Sequence, residues 1–182
     1  MFTPPPLLPW NALHVAVIHF PIVLLMIAIV PALMALVWRR FAGPLSAFAL
    51  ALLIAGTVSA FVATATGEAA QEIVPSTIPA AADEVLEDHE QLGELCRNVF
   101  LGVSLAYAAL AVVRWRFGEK LPRWAFPAAG AIIALPHAAG ILMLANTAHL
   151  GGRLVHEFGL LAPINGPNAP PNATPRVRTE EP

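Results

Sequence analysis

Four long apolar stretches, separated by short polar segments, dominate the chain. They cover about residues 13–38, 45–66, 92–113 and 124–150. A helix needs about 20 apolar residues to cross a bilayer, and only helices and closed barrels satisfy their backbone hydrogen bonds in lipid. Runs of this length are typical of helices. The pattern therefore predicts an all-α fold, an integral membrane four-helix bundle with spans at about 11–38, 45–66, 83–114 and 124–150.

The third helix is expected to begin ahead of its apolar stretch. Helical spacing of apolar residues continues upstream through Leu92 and His89 to Val85. His89 lies on this apolar stripe, so its side chain is expected to point into the bundle.

Basic residues lie mainly in two of the three connections, and they orient the predicted bundle. The first connection carries Arg39 and Arg40, and the third carries Arg114, Arg116, Lys120 and Arg123. Lysine and arginine accumulate in cytoplasmic loops. Both termini are therefore expected outside, which is the periplasm for a multi-pass protein of the bacterial inner (cytoplasmic) membrane.

The composition narrows the class of protein further. Hydrophobic residues make up 57 % of the 182 residues and charged residues only 12 %, whereas a soluble domain carries about 25 % charge. The net charge of −2 excludes a basic nucleic-acid binder. We expect a transmembrane domain over residues 1–162 and a disordered, proline-rich tail over 163–182. No internal repeat is evident.

Several ionisable side chains converge at one height on the four helices. Counted at about 1.5 Å per residue from the inner connections, His14, His89, His149 and Glu68 all lie roughly 37–39 Å up. His19 lies about 7 Å deeper. Because ionisable groups near a bilayer core are costly, each is a candidate functional residue.

Imidazoles that converge from separate helices suggest a cofactor site. Imidazole binds haem iron, copper, iron and zinc, and bundle interiors hold cofactors between facing helices. We expect His19 and His149 as axial ligands of a haem b, with His14 and His89 as a second pair or as alternates. Arg97 is either paired with Glu94 or holds a haem propionate or a quinone oxygen. Two alternatives to a cofactor site remain open. The histidines can simply be solvated at the membrane interface, and the small residues of the second and fourth helices can simply allow close helix packing.

The segment HVAVIHFPIVLL, His14 to Leu25, resembles a family of uncharacterised bacterial four-helix membrane proteins. The first helix of that family carries His-Pro-x-x-Val-His-Phe-Pro-Ile, and Val15 and Ile18 replace its first proline and its first valine. Thr66-Gly67-Glu68 and His149-Leu150-Gly151-Gly152-Arg153-Leu154-Val155 resemble two further family motifs. The match spans about residues 10–160. Members stand alone or are fused to Rieske or cytochrome c domains, which implies a membrane redox role.

Three hypotheses for the function follow. The first is a haem b protein that transfers electrons between the quinone pool and a periplasmic partner, such as a cytochrome c or a Rieske protein. The second is a transition-metal site for zinc, iron or copper, formed by histidines and a carboxylate: His14, His19, His89, His149 and Glu68. The third is a structural subunit of a membrane complex without a cofactor. No catalytic triad or phosphate loop is present, so an electron-transfer or binding protein is favoured over a self-contained enzyme.

Overall fold

The computed structural model describes residues 8–74, 78–118 and 120–160, and this part of the chain is helical with no strand. Four of its helical stretches are long and apolar enough to cross a membrane, which confirms the predicted four-helix membrane fold. The first span consists of two helices, and the other three spans of one helix each: His14–Val17 with His19–Val37, then Ala42–Gln71, Ala80–Phe117 and Ala125–His156. The expected tail, 163–182, lies outside the described residues.

The helices extend further than the apolar stretches indicated. The second span continues to Gln71 instead of ending at 66, and the fourth continues to His156 instead of 150. An apolar run indicates only which residues lie in the lipid, and it does not indicate where the helix ends. A helix continues beyond that length wherever the residues favour it, and the alanines after Gly67 do so.

A break in the first span separates the segment that carries His14 from the rest of the helix. Pro21 has no N–H group, so the carbonyl of Val17 lacks its usual partner four residues ahead. The first helix accordingly ends at Val17, and a new one begins at His19 after Ile18. This break leaves His14 on a short helix of its own at the entrance of the bundle.

The first and second spans form one helical hairpin, and the third and fourth spans form a second one. Within each hairpin, a large side chain packs directly onto a glycine of the partner helix. A Cβ atom added at Gly56 would lie 2.6 Å from Cδ2 of Leu25. In the second hairpin, a Cβ atom added at Gly140 would lie 3.0 Å from Cζ of Phe100. Small residues let membrane helices approach closely, and apolar side chains outside these contacts are free to face lipid. Outward-facing examples are Phe20, Val37, Leu135 and Leu142.

Buried polar contacts join the two hairpins near the middle of the bundle. The hydroxyl oxygens of Thr57 and Ser104 lie 2.8 Å apart between the second and third spans. On the other side, Nε2 of His137 donates to the carbonyl of Leu25 at 2.9 Å, and its ring packs edge-on against Phe100. These contacts satisfy polar groups that lipid would leave unpaired.

Candidate functional site

The four spans line a partly open cavity of about 470 Å³ at one end of the bundle. We call this end the histidine end: there the first and third spans begin, and the second and fourth finish. The cavity wall is mostly apolar and includes Leu25 and Phe100 at its deeper side. Two histidines from different hairpins, His14 and His89, line the same cavity.

His14 is held from two sides by the second span. Its Nδ1 donates to the carbonyl of Ala63 at 2.8 Å, and the hydroxyl oxygen of Thr66 lies 3.4 Å from the same nitrogen. The imidazole rests on Gly67, where an added Cβ atom would lie 3.0 Å from Cε1. His14 is therefore a positioned, half-buried side chain rather than a freely solvated one.

His89 is held in the same way by the fourth span. Its Nδ1 donates to the carbonyl of Thr147 at 2.9 Å. The ring rests on Gly151, where an added Cβ atom would lie 3.0 Å from Cε1. His89 faces into the bundle, as its place on the apolar stripe of the third helix predicted.

The two rings lie close together in the cavity. Their centroids lie 6.3 Å apart, and their planes are at 89°, which is a T-shaped arrangement. A carbonyl oxygen only accepts hydrogen bonds, so each Nδ1 must carry the proton. In the neutral imidazole the lone pair then lies on Nε2, and neither Nε2 is hydrogen-bonded to any of the residues that the structure describes. The site thus presents two fixed imidazoles, and in the described part of the chain Nε2 of each has no hydrogen-bond partner.

Arg97 places a cation in the wall of the same cavity. Its guanidinium donates to the hydroxyl of Thr64 at 3.1 Å and contacts the carboxylate of Glu94 at 3.4 Å, and its Cζ lies 5.0 Å from the ring centroid of Phe61. The ion pair with Glu94 expected from the sequence is therefore present. Because Arg97 also lines the cavity, the pair does not exclude a contact with a bound anionic group.

Carboxylates lie around the cavity as well. Glu68, next to Gly67, is exposed and lines the cavity together with Glu90 and Glu94. His156, which the height argument did not include, also lines it because the fourth helix extends further than expected.

Residues 11–162 match the family described as "Predicted membrane protein (DUF2231)". The chain belongs to this family. The matched region contains both histidines of the cavity, both glycines beneath them and all four spans. No curated protein and no solved structure gives a significant match. The resemblance noted from the sequence motifs is thereby confirmed at the level of an uncharacterised membrane protein family.

The structure does not bring His19 and His149 into the cavity of this DUF2231 chain. Both side chains are exposed on the outside of the bundle, and neither lines the cavity. Height along a helix does not decide which way a side chain faces. His19 follows His14 by five residues, roughly 140° around the helix, and His149 precedes Gly151 by two, roughly 200°. The cavity therefore brings His14 and His89 together, whereas His19 and His149 lie outside it.

The metal site expected from His14, His19, His89, His149 and Glu68 does not assemble either. Within residues 8–74, 78–118 and 120–160, no three His, Cys, Asp or Glu side chains lie close enough together to hold a metal ion. Of the four histidines in the metal hypothesis, only His14 and His89 line the cavity.

The groups that sequence reasoning missed are backbone carbonyls and glycines. The carbonyls of Ala63 and Thr147 orient the two imidazoles, and each stands four residues before the glycine on which the ring rests. The motifs Thr66-Gly67-Glu68 and His149-Leu150-Gly151 did contain these glycines, but the sequence did not reveal which side chains they accommodate.

Proposed function

We propose that the cavity at the histidine end binds haem b between His14 and His89, and that the protein transfers electrons in the membrane. The observation that carries this proposal is the close pair of imidazoles from different spans, each with Nδ1 tied to a backbone carbonyl. That second contact is the usual way in which a protein orients a metal-binding histidine, and it leaves Nε2 as the ligand nitrogen.

The separation of the rings supports a metal centre between them. A metal ion bound by an imidazole nitrogen lies about 2.0–2.1 Å from it, so two opposed ligand rings have centroids roughly 6 Å apart. The rings of His14 and His89 are 6.3 Å apart. This separation therefore matches the spacing of two imidazoles that bind one metal centre.

The cavity also suits a planar apolar group with an acidic edge. Its volume of about 470 Å³ lies within the range of small-molecule and cofactor sites, roughly 300–1,000 Å³. The wall offers the apolar side chains of Leu25 and Phe100, and Arg97 offers a guanidinium to a propionate. Haem b would supply a one-electron couple at this position.

The two histidines also indicate the kind of chemistry. If His14 and His89 both hold the haem iron, the haem would supply electron transfer rather than binding or activation of oxygen. The partners we propose are the quinone pool of the bilayer and a periplasmic redox protein such as a cytochrome c or a Rieske protein. We propose that the histidine end lies at the periplasmic face of a bacterial inner membrane, because the basic connections lie at the opposite end and lysine and arginine accumulate on the cytoplasmic side.

The proposal is tested by a dithionite-reduced minus oxidised visible spectrum of the detergent-purified protein, with iron analysis on the same sample. We expect a sharp α band and one iron per chain. His14→Ala and His89→Ala should each abolish the six-coordinate spectrum. The matched controls are His19→Ala and His149→Ala, which remove histidines at the same end of the bundle that lie outside the cavity.

The opposite pattern would overturn the proposal. A colourless, iron-free protein after haem-sufficient expression contradicts haem binding and favours a structural subunit. A haem spectrum that survives in His14→Ala and His89→Ala, but is lost in His19→Ala or His149→Ala, contradicts the ligand pair.

A further inference from the structure

The two hairpins repeat the same set of contacts at the same spacing. In the first hairpin, His14 rests on Gly67, and Leu25, deeper on the same span, rests on Gly56. The step along the chain from His14 to Leu25 equals the step from Gly56 to Gly67. This arrangement joins a histidine and a large apolar residue on one span to two glycines on the next.

The second hairpin shows the same arrangement. His89 rests on Gly151, and Phe100 rests on Gly140. The steps from His89 to Phe100 and from Gly140 to Gly151 are identical to those of the first hairpin. The hydrogen bonds agree too, because each Nδ1 donates to the carbonyl four residues before its glycine.

The residues that line the cavity also correspond between the first and third spans, even where their types differ. Counted from the two histidines, the positions that line the cavity on the first span also line it on the third. The matched pairs are Val15 and Glu90, Ile18 and Gly93, Pro21 and Cys96, and Ile22 and Arg97. The side chains differ, so the repeat is one of position and contact. The sequence reading, in which no repeat was evident, is therefore corrected by the structure.

We infer that the site consists of two copies of one histidine-on-glycine unit, in which Gly67 and Gly151 are positioning residues that set the separation of the two rings. As a statement about ligand binding, the inference rests on the proposed function. It adds that the bound group is held from both faces by equivalent halves of the chain.

Sterics explain why the two positions require glycine. Carbon atoms in van der Waals contact lie about 3.5–4.0 Å apart. An alanine Cβ at position 67 or 151 would lie 3.0 Å from Cε1 of the ring above it. The imidazole would have to move by roughly 0.5 Å. Its Nδ1 is already held by a carbonyl at 2.8–2.9 Å, so this movement breaks or lengthens that hydrogen bond.

The test uses the full-length protein labelled with ¹⁵N-histidine and purified without haem, so that it does not depend on haem binding. Long-range ¹H–¹⁵N spectra report which nitrogen of each imidazole carries the proton. His14 and His89 should both be protonated at Nδ1, with assignments taken from the alanine variants. Gly67→Ala should remove that signature from His14 alone, and Gly151→Ala should remove it from His89 alone.

The histidine that is unaffected in each variant shows that the bundle remains folded. The control is Gly102→Ala, which lies on the third span outside the cavity and whose Cβ would meet nothing within 4 Å. It should leave both histidine signals unchanged. In the haem-loaded protein, both glycine variants should reduce the six-coordinate fraction to a similar extent.

The outcomes separate this inference from the haem proposal. If the histidine signals respond as expected but no haem binds, the duplicated unit stands and the proposed cofactor is wrong. If haem binds but both glycine variants leave the histidine signals and the spectrum unchanged, the positioning role is wrong. If the glycine substitution changes the signal of one histidine but not that of the other, the two halves are not equivalent.

Discussion

Leu25 occupies the space that a side chain at Gly56 would need. A Cβ atom at position 56 would lie 2.6 Å from Cδ2 and 2.7 Å from Cγ of this fully buried leucine. Gly56→Ala should therefore force the first two spans apart. We expect a loss of about 1–3 kcal/mol in the free energy of unfolding, the usual cost of overpacking.

Thermal unfolding in detergent measures this loss, with Gly102→Ala as the control. A Cβ atom at position 102 meets nothing within 4 Å, so that variant should be at least as stable as the parent protein. Equal melting temperatures for the two variants would show that Leu25 can move away from position 56 without a loss of stability.

His137 is expected to stabilise the bundle without taking part in the site. Its side chain is 2 % exposed, donates to the carbonyl of Leu25 and lies against Phe100. His137→Ala opens a void and removes an interhelical hydrogen bond, so it should cost roughly 2–5 kcal/mol of stability. Because His137 does not line the cavity, the visible spectrum of the folded variant should match that of the parent protein. Loss of the haem band in a variant with intact helicity would assign His137 a direct role.

The hydroxyls of Thr57 and Ser104 should be coupled across the interface of the two hairpins. They lie 2.8 Å apart, and Ser104 also contacts the carbonyl of Leu53 at 3.3 Å. A double-mutant cycle with Thr57→Val and Ser104→Ala should give a coupling of about 0.6 kcal/mol, the average for hydrogen bonds between membrane helices. Additive effects of the two substitutions would show that each hydroxyl finds another partner when the first is lost.

Arg97 should raise the redox potential of a haem in the cavity. A nearby cation disfavours the oxidised, more positive state, so Arg97→Gln should lower the midpoint potential. The free energy of reduction should change by an amount on the order of 1 kcal/mol. Redox titration of the purified protein measures this shift. Arg153→Gln is the matched control, because Arg153 pairs with Glu157 at the same end of the bundle but does not line the cavity. An equal shift in both variants would trace the effect to net charge alone.

The four spans could be predicted from the sequence because each of them needs about 20 apolar residues to cross the bilayer. Helix ends were less predictable, since the second and fourth helices continue past their apolar runs to Gln71 and His156. The division of the first span at Ile18 was not predicted either. It depends on Pro21, which bends some helices and is absorbed by others.

The candidate site was predicted only in part. His14 and His89 were recognised as candidates, and the structure brings them together with Glu68 and Arg97 at one cavity. His19 and His149 were favoured as ligands because they lie towards the same end of the bundle, His149 level with the other histidines and His19 about 7 Å deeper, yet both face outward. A shift of two or five residues moves a side chain only about 3 or 7 Å along a helix but turns it to another face.

The sequence by itself determined that this protein crosses a membrane four times, and that all its histidines except His137 gather towards one end. Both follow from a one-dimensional property, the distance of each residue from the ends of an apolar run. Only the tertiary structure decided which imidazoles meet and what holds them. The facing of a side chain depends on how neighbouring helices pack, and here that packing is set by Gly67 and Gly151, whose missing side chains admit the two rings.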